Sequence, residues 1–156
     1  MIWRPEPLMR ISAKGRYALA AMVRMAQQYQ SGESITLVSI SERLGISKIY
    51  LEQVFALLKR AELVTSVKGA QGGYQLARPP RQITALDVLT AVETTLFDQA
   101  EDTVPEKAPE IEAAIRADVF DPLDEAAAEA LGKVSIERLV LSAERHQSAG
   151  AGMFYI

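Results

Sequence analysis

Residues 47–76, which read SKIYLEQVFALLKRAELVTSVKGAQGGYQL, decide the fold of this chain. Residues 47–61 have the apolar periodicity of an amphipathic helix. Two short β-prone runs, 63–67 and 74–76, then flank a basic segment that contains three glycines. Glycine supplies the positive φ angles of tight turns and lets a backbone come close to a phosphate. The stretch therefore predicts a helix followed at once by a hairpin with a basic, glycine-rich tip.

Two more helices are predicted upstream of this stretch. Ser12 is a good N-cap for a first helix that reaches about Gln30, and Thr36 is a good N-cap for a short second helix. Gly45 makes the turn into the third helix, which Ser47 caps. Helix, glycine-containing turn, helix and hairpin form the pattern of a winged helix-turn-helix, in which the third helix enters the DNA major groove. The residues predicted to face the core are Ala18, Ala21, Met22, Met25, Ala26 and Tyr29 in the first helix, and Leu37, Ile40 and Leu44 in the second.

The third helix has two chemically different faces. Its predicted buried stripe consists of Tyr50, Val54, Leu57, Leu58 and Ala61. Its opposite face, which a DNA duplex would meet, carries Lys48, Ile49, Glu52, Gln53, Ala56 and Arg60.

The second half of the chain is predicted to be helical. Residues 78–81 close the hairpin, and Thr84 begins a helix to about Leu96, with Asp87 completing a capping box. Residues 97–109 are predicted to be a mobile loop, and a helical region follows from about residue 110. Asp121 and Pro122 either restart this helix or kink it. Gly132 ends it and Ser135 caps the last helix.

A stripe of small residues after Pro122 permits close approach of two helices. It predicts a C2 dimer formed through residues 110–131. The dimerisation residues are predicted to be Leu123, Ala126, Ala127, Ala130 and Leu131.

The fold class predicted from these patterns is mainly α, with a small β-hairpin wing. It consists of a winged helix-turn-helix domain and a long C-terminal dimerisation helix. The predicted segments are a flexible leader (1–8), the DNA-binding domain (9–83), a helical dimerisation and regulatory region (84–147), and a flexible tail with an apolar end (148–156).

Composition excludes several classes of protein. The chain has no cysteine, so it has no disulfides, thiolate metal sites or iron–sulfur clusters, and its single histidine, His146, cannot build a metal site alone. No metal or other cofactor is therefore expected. No run approaches the roughly 18 apolar residues of a membrane span and no signal peptide is visible, so a cytoplasmic protein is expected.

Charge is divided between the two halves of the chain. Residues 1–83 contain 12 Lys and Arg against 5 Asp and Glu, a net charge of +7. Residues 84–156 contain 5 against 15, a net charge of −10. A basic half attracts a polyanion and an acidic half repels it. Nucleic acid is therefore expected to meet only the N-terminal half.

Three motifs resemble the winged-helix transcription regulators that include IscR, NsrR and CymR. They are residues 10–19 (RISAKGRYAL), 46–53 (ISKIYLEQ) and 67–76 (VKGAQGGYQL). The match runs from about residue 9 to 93 and resumes at 119–139. The resemblance implies a homodimeric, sequence-specific DNA-binding repressor or activator that binds a palindromic site. The dimer of such a protein is built by its long C-terminal helix.

The chain departs from the cluster-binding members of this family, which carry three cysteines between the helix after the wing and the dimerisation helix. Here residues 93–119 contain none, so no thiolate can hold iron. Among cysteine-free members the likeness is greatest to CymR, the repressor of cysteine metabolism. That likeness implies a protein partner, the cysteine synthase (O-acetylserine thiol-lyase), as co-repressor.

The residues predicted to contact DNA combine the family motifs with the chemistry of each side chain. Gln can pair with adenine, Glu can accept from cytosine and Ile49 can contact a thymine methyl, although a solvated helix face is the alternative. Lys14 and Arg16 lie in the first helical turn, where a phosphate held also by the helix amides would offset an unfavourable dipole. Lysine at the wing tip binds phosphate without the planar fork of arginine. The full set is Arg10, Lys14, Arg16, Tyr17, Ser47, Lys48, Ile49, Glu52, Gln53, Lys68, Gly69 and Gln71.

The apolar chain end, Met153, Phe154, Tyr155 and Ile156, has two interpretations. It folds back onto the body, or its isoleucine carboxylate docks in cysteine synthase, as the C-terminal isoleucine of serine acetyltransferase does. Three other functions make different demands on the sequence. An enzyme would need a nucleophile–base pair, which this chain lacks. An adaptor without DNA binding would not need the basic motifs. A cluster-free stress or redox regulator that senses a small ligand is the remaining alternative.

Overall fold

The N-terminal half is a three-helix unit with a two-stranded hairpin. The computed structural model describes residues 11–69, 72–93, 95, 98 and 101–153. For residues 151–153 it describes the backbone only. The three helices are α1 (Ala13–Gln27), α2 (Leu37–Leu44) and α3 (Lys48–Arg60). Strands β1 (Val64–Ser66) and β2 (Tyr74–Leu76) pair antiparallel, with Val64 opposite Leu76 and Ser66 opposite Tyr74. This architecture confirms the predicted winged helix-turn-helix.

The predicted caps and turn begin these helices where the sequence indicates. The hydroxyls of Ser12, Thr36 and Ser47 accept hydrogen bonds from the amides of Gly15, Ser39 and Tyr50. Each bond satisfies one of the amides that a helix leaves free at its first turn. Gly45 ends α2 in the left-handed region, at φ 69°, as the glycine-containing turn requires.

The core lies between α1, α2 and α3 and is covered by two later helices, α4 (Ala85–Val92) and the start of α7 (Ile136–Met153). Its largest fully buried side chains include Met22, Ile40, Leu51, Phe55, Leu58, Leu89 and Ile136. The stripe predicted for α3 was partly wrong: Leu51 and Phe55 are fully buried, Tyr50 and Leu57 are half-buried, and Ala61 is exposed. The buried face of α3 is therefore wider than the stripe because α1, α2 and α4 all pack against this helix. Tyr29 is 40% exposed because α1 ends at Gln27 and a 3-10 turn, Tyr29–Ser31, follows.

Helix α4 (Ala85–Val92) follows a 3-10 turn at Pro80–Gln82. The capping box is confirmed: the Thr84 amide donates to Asp87 Oδ2 at 2.9 Å, and the Asp87 amide donates to Thr84 Oγ1 at 3.1 Å. The Asp87 carboxylate also pairs with Arg78 at 3.1 Å. The helix ends at Val92, before the predicted Leu96, and Glu93 caps it with non-helical angles.

A single helical stretch runs from residue 109 to 132. Helix α5 (Pro109–Ile115) leads through a π-helical turn (Arg116–Phe120) into α6 (Asp121–Gly132). Asp121 has helical angles, φ −63° and ψ −47°, so the predicted restart with Asp121 as N-cap is wrong. Proline lacks an amide donor and its ring crowds the carbonyl four residues earlier, so the wider turn just before Pro122 relieves both problems. At 1.5 Å per residue the stretch is roughly 36 Å long.

The last helix, α7 (Ile136–Met153), packs against α1. Ser135 caps it as predicted, because the Arg138 amide donates to Ser135 Oγ at 3.0 Å. The predicted start of a flexible tail at residue 148 was wrong, since α7 continues through that position to Met153. Side-chain packing at Ile136 and backbone pairing of Thr84 with Ser135 fix the beginning of this helix, and Leu139 and Val140 pack against the core one turn later.

The segment before α5 is anchored by a buried carboxylate. Glu112 is 7% exposed and accepts the amides of Thr103 (3.0 Å) and Val104 (2.8 Å). Arg116 donates to Glu112 at 3.3 Å and to Asp102 at 2.8 Å. The prediction of a mobile loop is therefore wrong for residues 101–108, because two backbone amides and an arginine bind one side chain there. The hydrogen bond from Val104, followed by those from Thr103 and Arg116, holds the pKa of the Glu112 carboxyl below its ordinary value.

We predict that Glu112→Gln accelerates hydrogen exchange at the Thr103 and Val104 amides. The reason is that glutamine replaces one carboxylate oxygen, which accepts hydrogen bonds, with an NH2 group, which can only donate them. Glu110→Gln, on the same helix but exposed, is the matched control and leaves both rates unchanged. Because the Glu112 pKa is lowered, the ionised carboxylate contributes its full stability to the fold above the ordinary pKa of glutamate. This stability is lost as pH falls through the lower pKa of the folded state, so wild-type protection of these amides falls with it. Equal exchange in the two variants would contradict this anchoring role.

Gly15 allows α1 and α4 to pack closely. A Cβ built at Gly15 would lie 2.4 Å from Glu93 Oε1, 2.6 Å from Ile11 Cγ2 and 3.1 Å from Leu89 Cδ2. Leu89 is 1% exposed and Glu93 is hydrogen-bonded, so neither can move aside freely. Position 15 therefore requires glycine because of tertiary packing and not because of its backbone angles.

We predict that Gly15→Ala lowers the free energy of unfolding by about 1–3 kcal/mol through overpacking. Gly132→Ala is the matched control, because its Cβ would meet Leu86 at 3.7 Å, an ordinary contact. That control is expected to be neutral or stabilising by up to roughly 1 kcal/mol, the usual advantage of alanine in a helix. Urea unfolding of both variants measures the difference, and a stabilising Gly15→Ala would refute the close contact.

Candidate nucleic-acid interface

The outer face of α3 is presented to solvent as the sequence predicts. Lys48, Ile49, Glu52, Gln53, Ala56 and Arg60 are all exposed. Lys48 and Glu52 lie one turn apart, 3.8 Å between Nζ and Oε1, in a solvent-exposed ion pair worth little to stability. Ile49 is 70% exposed, with polar neighbours on both sides. Nothing in the described chain covers this isoleucine, so its apolar side chain is available to a ligand.

The wing is fixed to the helix-turn-helix through Tyr74. The Tyr74 amide donates to the Ile35 carbonyl at 2.8 Å, and the Ile35 amide donates back to Tyr74 at 2.9 Å. The Tyr74 ring packs on Phe55 of α3, with ring centroids 4.8 Å apart. Tyr74 therefore connects the wing both to the segment before α2 and to α3, the predicted recognition helix.

The wing glycines have positive φ angles, as predicted, but one has a different role from the one expected. A Cβ at Gly73 would lie 2.9 Å from the Ile35 carbonyl oxygen, so its close backbone approach is to Ile35 and not to a phosphate. Lys68 and Gly69 are exposed at the tip and remain available to a duplex. Gln71 lies outside the described residues.

The start of α1 is joined to α3 by an aromatic contact. Tyr17 and Tyr50 meet edge to face, with centroids 5.1 Å apart and planes at 84°. Tyr17 is half-buried in this contact, so part of its surface serves packing. Arg16 is exposed and Lys14 half-exposed in the same first turns, whereas Arg10 lies outside the described residues.

A carboxylate lies at the N-cap of α1, near the place where the sequence predicts a DNA phosphate. The Ser12 amide donates to Glu93 Oε1 at 3.0 Å, and the Ser12 hydroxyl is bonded to the same oxygen. Glu93 therefore places a negative charge at the positive end of the helix dipole. The phosphate contact with the helix amides and with Lys14 and Arg16 stays a prediction. Glu93 was missed because it lies 81 residues from Ser12 and no local pattern marks it.

The predicted dimerisation stripe is divided between two faces of α6. Ala127 and Leu131 are half-buried on the helix that packs against α4, whereas Leu123, Ala126 and Ala130 are exposed. Val119 and Ile111 are each 52% exposed and Leu123 is 53% exposed, along the same helical stretch. Residues 111, 119, 123, 126 and 130 therefore form an exposed apolar stripe, which differs in part from the set that the sequence predicted.

The predicted partner-binding end cannot be placed. Phe154, Tyr155 and Ile156 lie outside the described residues, and only the backbone of Met153 is described. In the described part of the chain, no group of three or more histidine and acidic side chains could hold a metal ion. None of the described helices is both long enough and apolar enough to cross a membrane.

Known proteins with similar sequences are transcriptional regulators. The family model described as "Rrf2: Iron-dependent Transcriptional regulator" matches residues 11–142. The HTH-type transcriptional regulator IscR of Xenorhabdus nematophila is 38% identical over 136 residues, covering 87% of this chain and 82% of that protein. The IscR of Cereibacter sphaeroides is 47% identical over 89 residues, covering 56% and 57%. The chain spans only 51–59% of the length of several such relatives.

Solved structures of similar regulators share the architecture over nearly their whole length. The structure of CymR, named the global cysteine regulator of B. subtilis, matches with a TM-score of 0.69 and 32% identity, covering 86% of this chain and 98% of CymR. The T. potens IscR matches with a TM-score of 0.71 and 34% identity, covering 95% and 98%. These likenesses agree with the predicted fold and with a protein that is not an enzyme.

Proposed function

The chain belongs to the Rrf2 family of DNA-binding transcriptional regulators, and from that premise we propose that it is a homodimeric repressor of a palindromic operator. The observation that carries the proposal is the surface made by α3, the wing tip and the first turns of α1. Two aromatic contacts join these three elements, Tyr17 with Tyr50 and Phe55 with Tyr74. A rigid surface of this kind enters one major groove and touches the flanking backbone.

Base recognition is assigned to the centre of the exposed α3 face. Gln53 can bond adenine through two atoms, and Glu52 can accept from the amino group of cytosine. Ile49 can contact a thymine methyl, which accounts for an isoleucine that is 70% exposed. Ser47 retains a hydroxyl donor for a phosphate while its oxygen accepts the Tyr50 amide at 3.3 Å.

Backbone attachment is assigned to the cations around this centre. Lys14, Arg16, Lys48 and Lys68 lie in the half of the chain whose net charge is +7. Each neutralised phosphate releases a counterion, so these contacts set affinity and salt dependence rather than sequence preference.

We predict that Lys14→Ala and Gln53→Ala have different effects on binding to an operator obtained by in vitro selection. Lys14→Ala weakens binding to operator and random DNA alike and reduces the salt slope by about one. Gln53→Ala relaxes preference at one base pair, at a cost on the order of 1–3 kcal/mol for the operator only. Gel-shift assays with salt titration and single-base operator variants measure both effects.

Arg138→Ala is the matched control for this experiment, because Arg138 is an exposed cation of the acidic half. It leaves both affinity and salt slope unchanged. Failure of the wild-type protein to prefer any selected sequence would favour the adaptor alternative. Unchanged base preference in Gln53→Ala would remove the base-reading role from that residue.

The homodimer is proposed to form through the exposed apolar stripe at residues 111, 119, 123, 126 and 130. Helix α6 already rests on α4 through its other side, so this stripe is the face left for a second copy. Alanines at 126 and 130 permit the close approach of two helices, and a C2 axis would place the stripe against itself. A dimer of this kind presents two α3 helices to two operator half-sites.

We predict that Leu123→Glu shifts the protein from dimer to monomer in sedimentation, because a carboxylate in the stripe is buried against its own copy. Glu125→Lys, exposed on the polar side of α6, is the control and leaves the dimer intact. A persistent dimer in Leu123→Glu would place the interface elsewhere.

The signal is proposed to reach this protein without an iron–sulfur cluster. The family description is iron-dependent, but the chain contains no cysteine to ligate a cluster. The likeness to CymR, named a global cysteine regulator, supports a regulator of cysteine metabolism. We propose that this protein represses cysteine and sulfur metabolism genes, with cysteine synthase as a co-repressor that Met153, Phe154, Tyr155 and Ile156 would bind. Co-purification of cysteine synthase with the full chain, lost when Ile156 is deleted, would separate this proposal from a cluster-free regulator that senses a small ligand.

A further inference from the structure

A cavity of about 410 Å³ lies between α1, the end of α2 and α7. Its walls are of two kinds. Val23, Leu44, Leu139 and Ala143 supply apolar surface, and the ionisable side chains that line it are Arg24, Arg43 and His146. Each of these is basic or can become so, and no acidic residue lines the cavity. The volume falls within the range of small-molecule sites, roughly 300–1,000 Å³.

Arg24 lacks the partner that its burial calls for. Its Nε atom is buried and has no hydrogen-bond partner among the described residues. Among the described residues, its guanidinium forms a long hydrogen bond, 3.4 Å from Nη1 to the neutral Gln27 Oε1. A buried donor without an acceptor costs free energy, and more so when it carries charge. A ligand acceptor would remove that cost once the Arg24 side chain turns its Nε toward the cavity.

Helix dipoles do not account for the whole cluster. Arg24 lies in the last turn of α1 and Arg43 in the last turn of α2, where a cation is individually favourable. Both line one cavity, however, and neither forms an ion pair with any described carboxylate. Two like charges at one cavity without a described counterion fit a site for an anion.

His146 adds a third polar side chain, whose ring is oriented by one hydrogen bond. Its Nδ1 lies 2.7 Å from the Ser142 carbonyl oxygen. A carbonyl can only accept, so Nδ1 carries a proton and Nε2 is left for another partner. His146 is also the single histidine of the chain, which makes its ring a unique spectroscopic reporter.

We infer that this cavity binds a small organic carboxylate with an apolar body. The carboxylate pairs with Arg24 and Arg43, whose guanidinium groups match its geometry. The apolar body lies against Val23, Leu44 and Leu139. The site joins α2, which begins the helix-turn-helix, to α7, so occupancy would bias the position of the DNA-reading unit relative to the last helix.

The test uses NMR of ¹⁵N-histidine-labelled full-length protein without DNA, so its outcome is independent of whether the protein reads an operator. The probe is 4-methylpentanoate, with 4-methylpentanamide as the uncharged match and formate as the bare anion. A panel of straight and branched carboxylates of four to eight carbons widens the search. We expect saturable shifts of the His146 ring with a carboxylate of this panel, and at least about tenfold weaker binding of the amide and of formate.

Variants assign the binding to the cavity. Arg24→Gln and Arg43→Gln each weaken carboxylate binding by at least about tenfold, because each removes a charge-assisted hydrogen bond. Arg145→Gln is the matched control, since Arg145 neighbours His146 on α7 but lines a different cavity. Thermal unfolding identifies any variant that fails to fold, and Arg24→Lys then tests the charge alone.

Three results would overturn the inference. They are no saturable response to any carboxylate of the panel, an equal response to acid and amide, or equal weakening by Arg145→Gln. The first would leave the two arginines as helix-end cations, the second would indicate apolar binding only, and the third would indicate nonspecific attraction to a basic surface.

Discussion

The double hydrogen bond between Ile35 and Tyr74 is the constraint on which the DNA-facing surface depends. It adds Ile35, which precedes the N-cap of α2, to the edge of the hairpin, while the Tyr74 ring packs on Phe55 of α3. A two-stranded hairpin of three residues per strand is marginal by itself. Here a third backbone segment and an aromatic contact stabilise it, and Gly73 leaves room for the close approach. The wing therefore moves with the recognition helix as one body.

Local signals in the sequence predicted much of this architecture, because caps, turns and apolar periodicity act over a few residues. Ser12, Thr36, Ser47 and the Thr84 capping box were all found this way. Most of the misses have a tertiary cause, because the partner lies outside the helix concerned. Glu93 and Glu112 bind amides of other segments, and Leu51 and Phe55 are buried by elements packed around α3. The π turn before Pro122 is a local miss, since a helix can accommodate a proline in several ways.

The division of charge determines which half of the chain can approach DNA. Residues 84–156 carry a net charge of −10, so α4 to α7 are repelled by the polyanion that the first half attracts. In the proposed complex, this repulsion would keep α4 to α7 away from the duplex. The apolar stripe would then be free to contact a second copy, while the cations of α1, α3 and the wing would set affinity and salt dependence.

Helix α1 is the element through which these halves can influence each other. It packs on α3 and carries Lys14 and Arg16, and its other sides pack on α4 and α7. Its amide end is held by Glu93 at the end of α4, and Gly15 keeps that contact close. Packed interfaces of this kind shift between discrete arrangements rather than deform continuously. A shift of α4 or α7 would therefore displace α1 and, with it, the surface proposed to face DNA. For a shift of α4, the Ser12–Glu93 hydrogen bond is the first contact that would change.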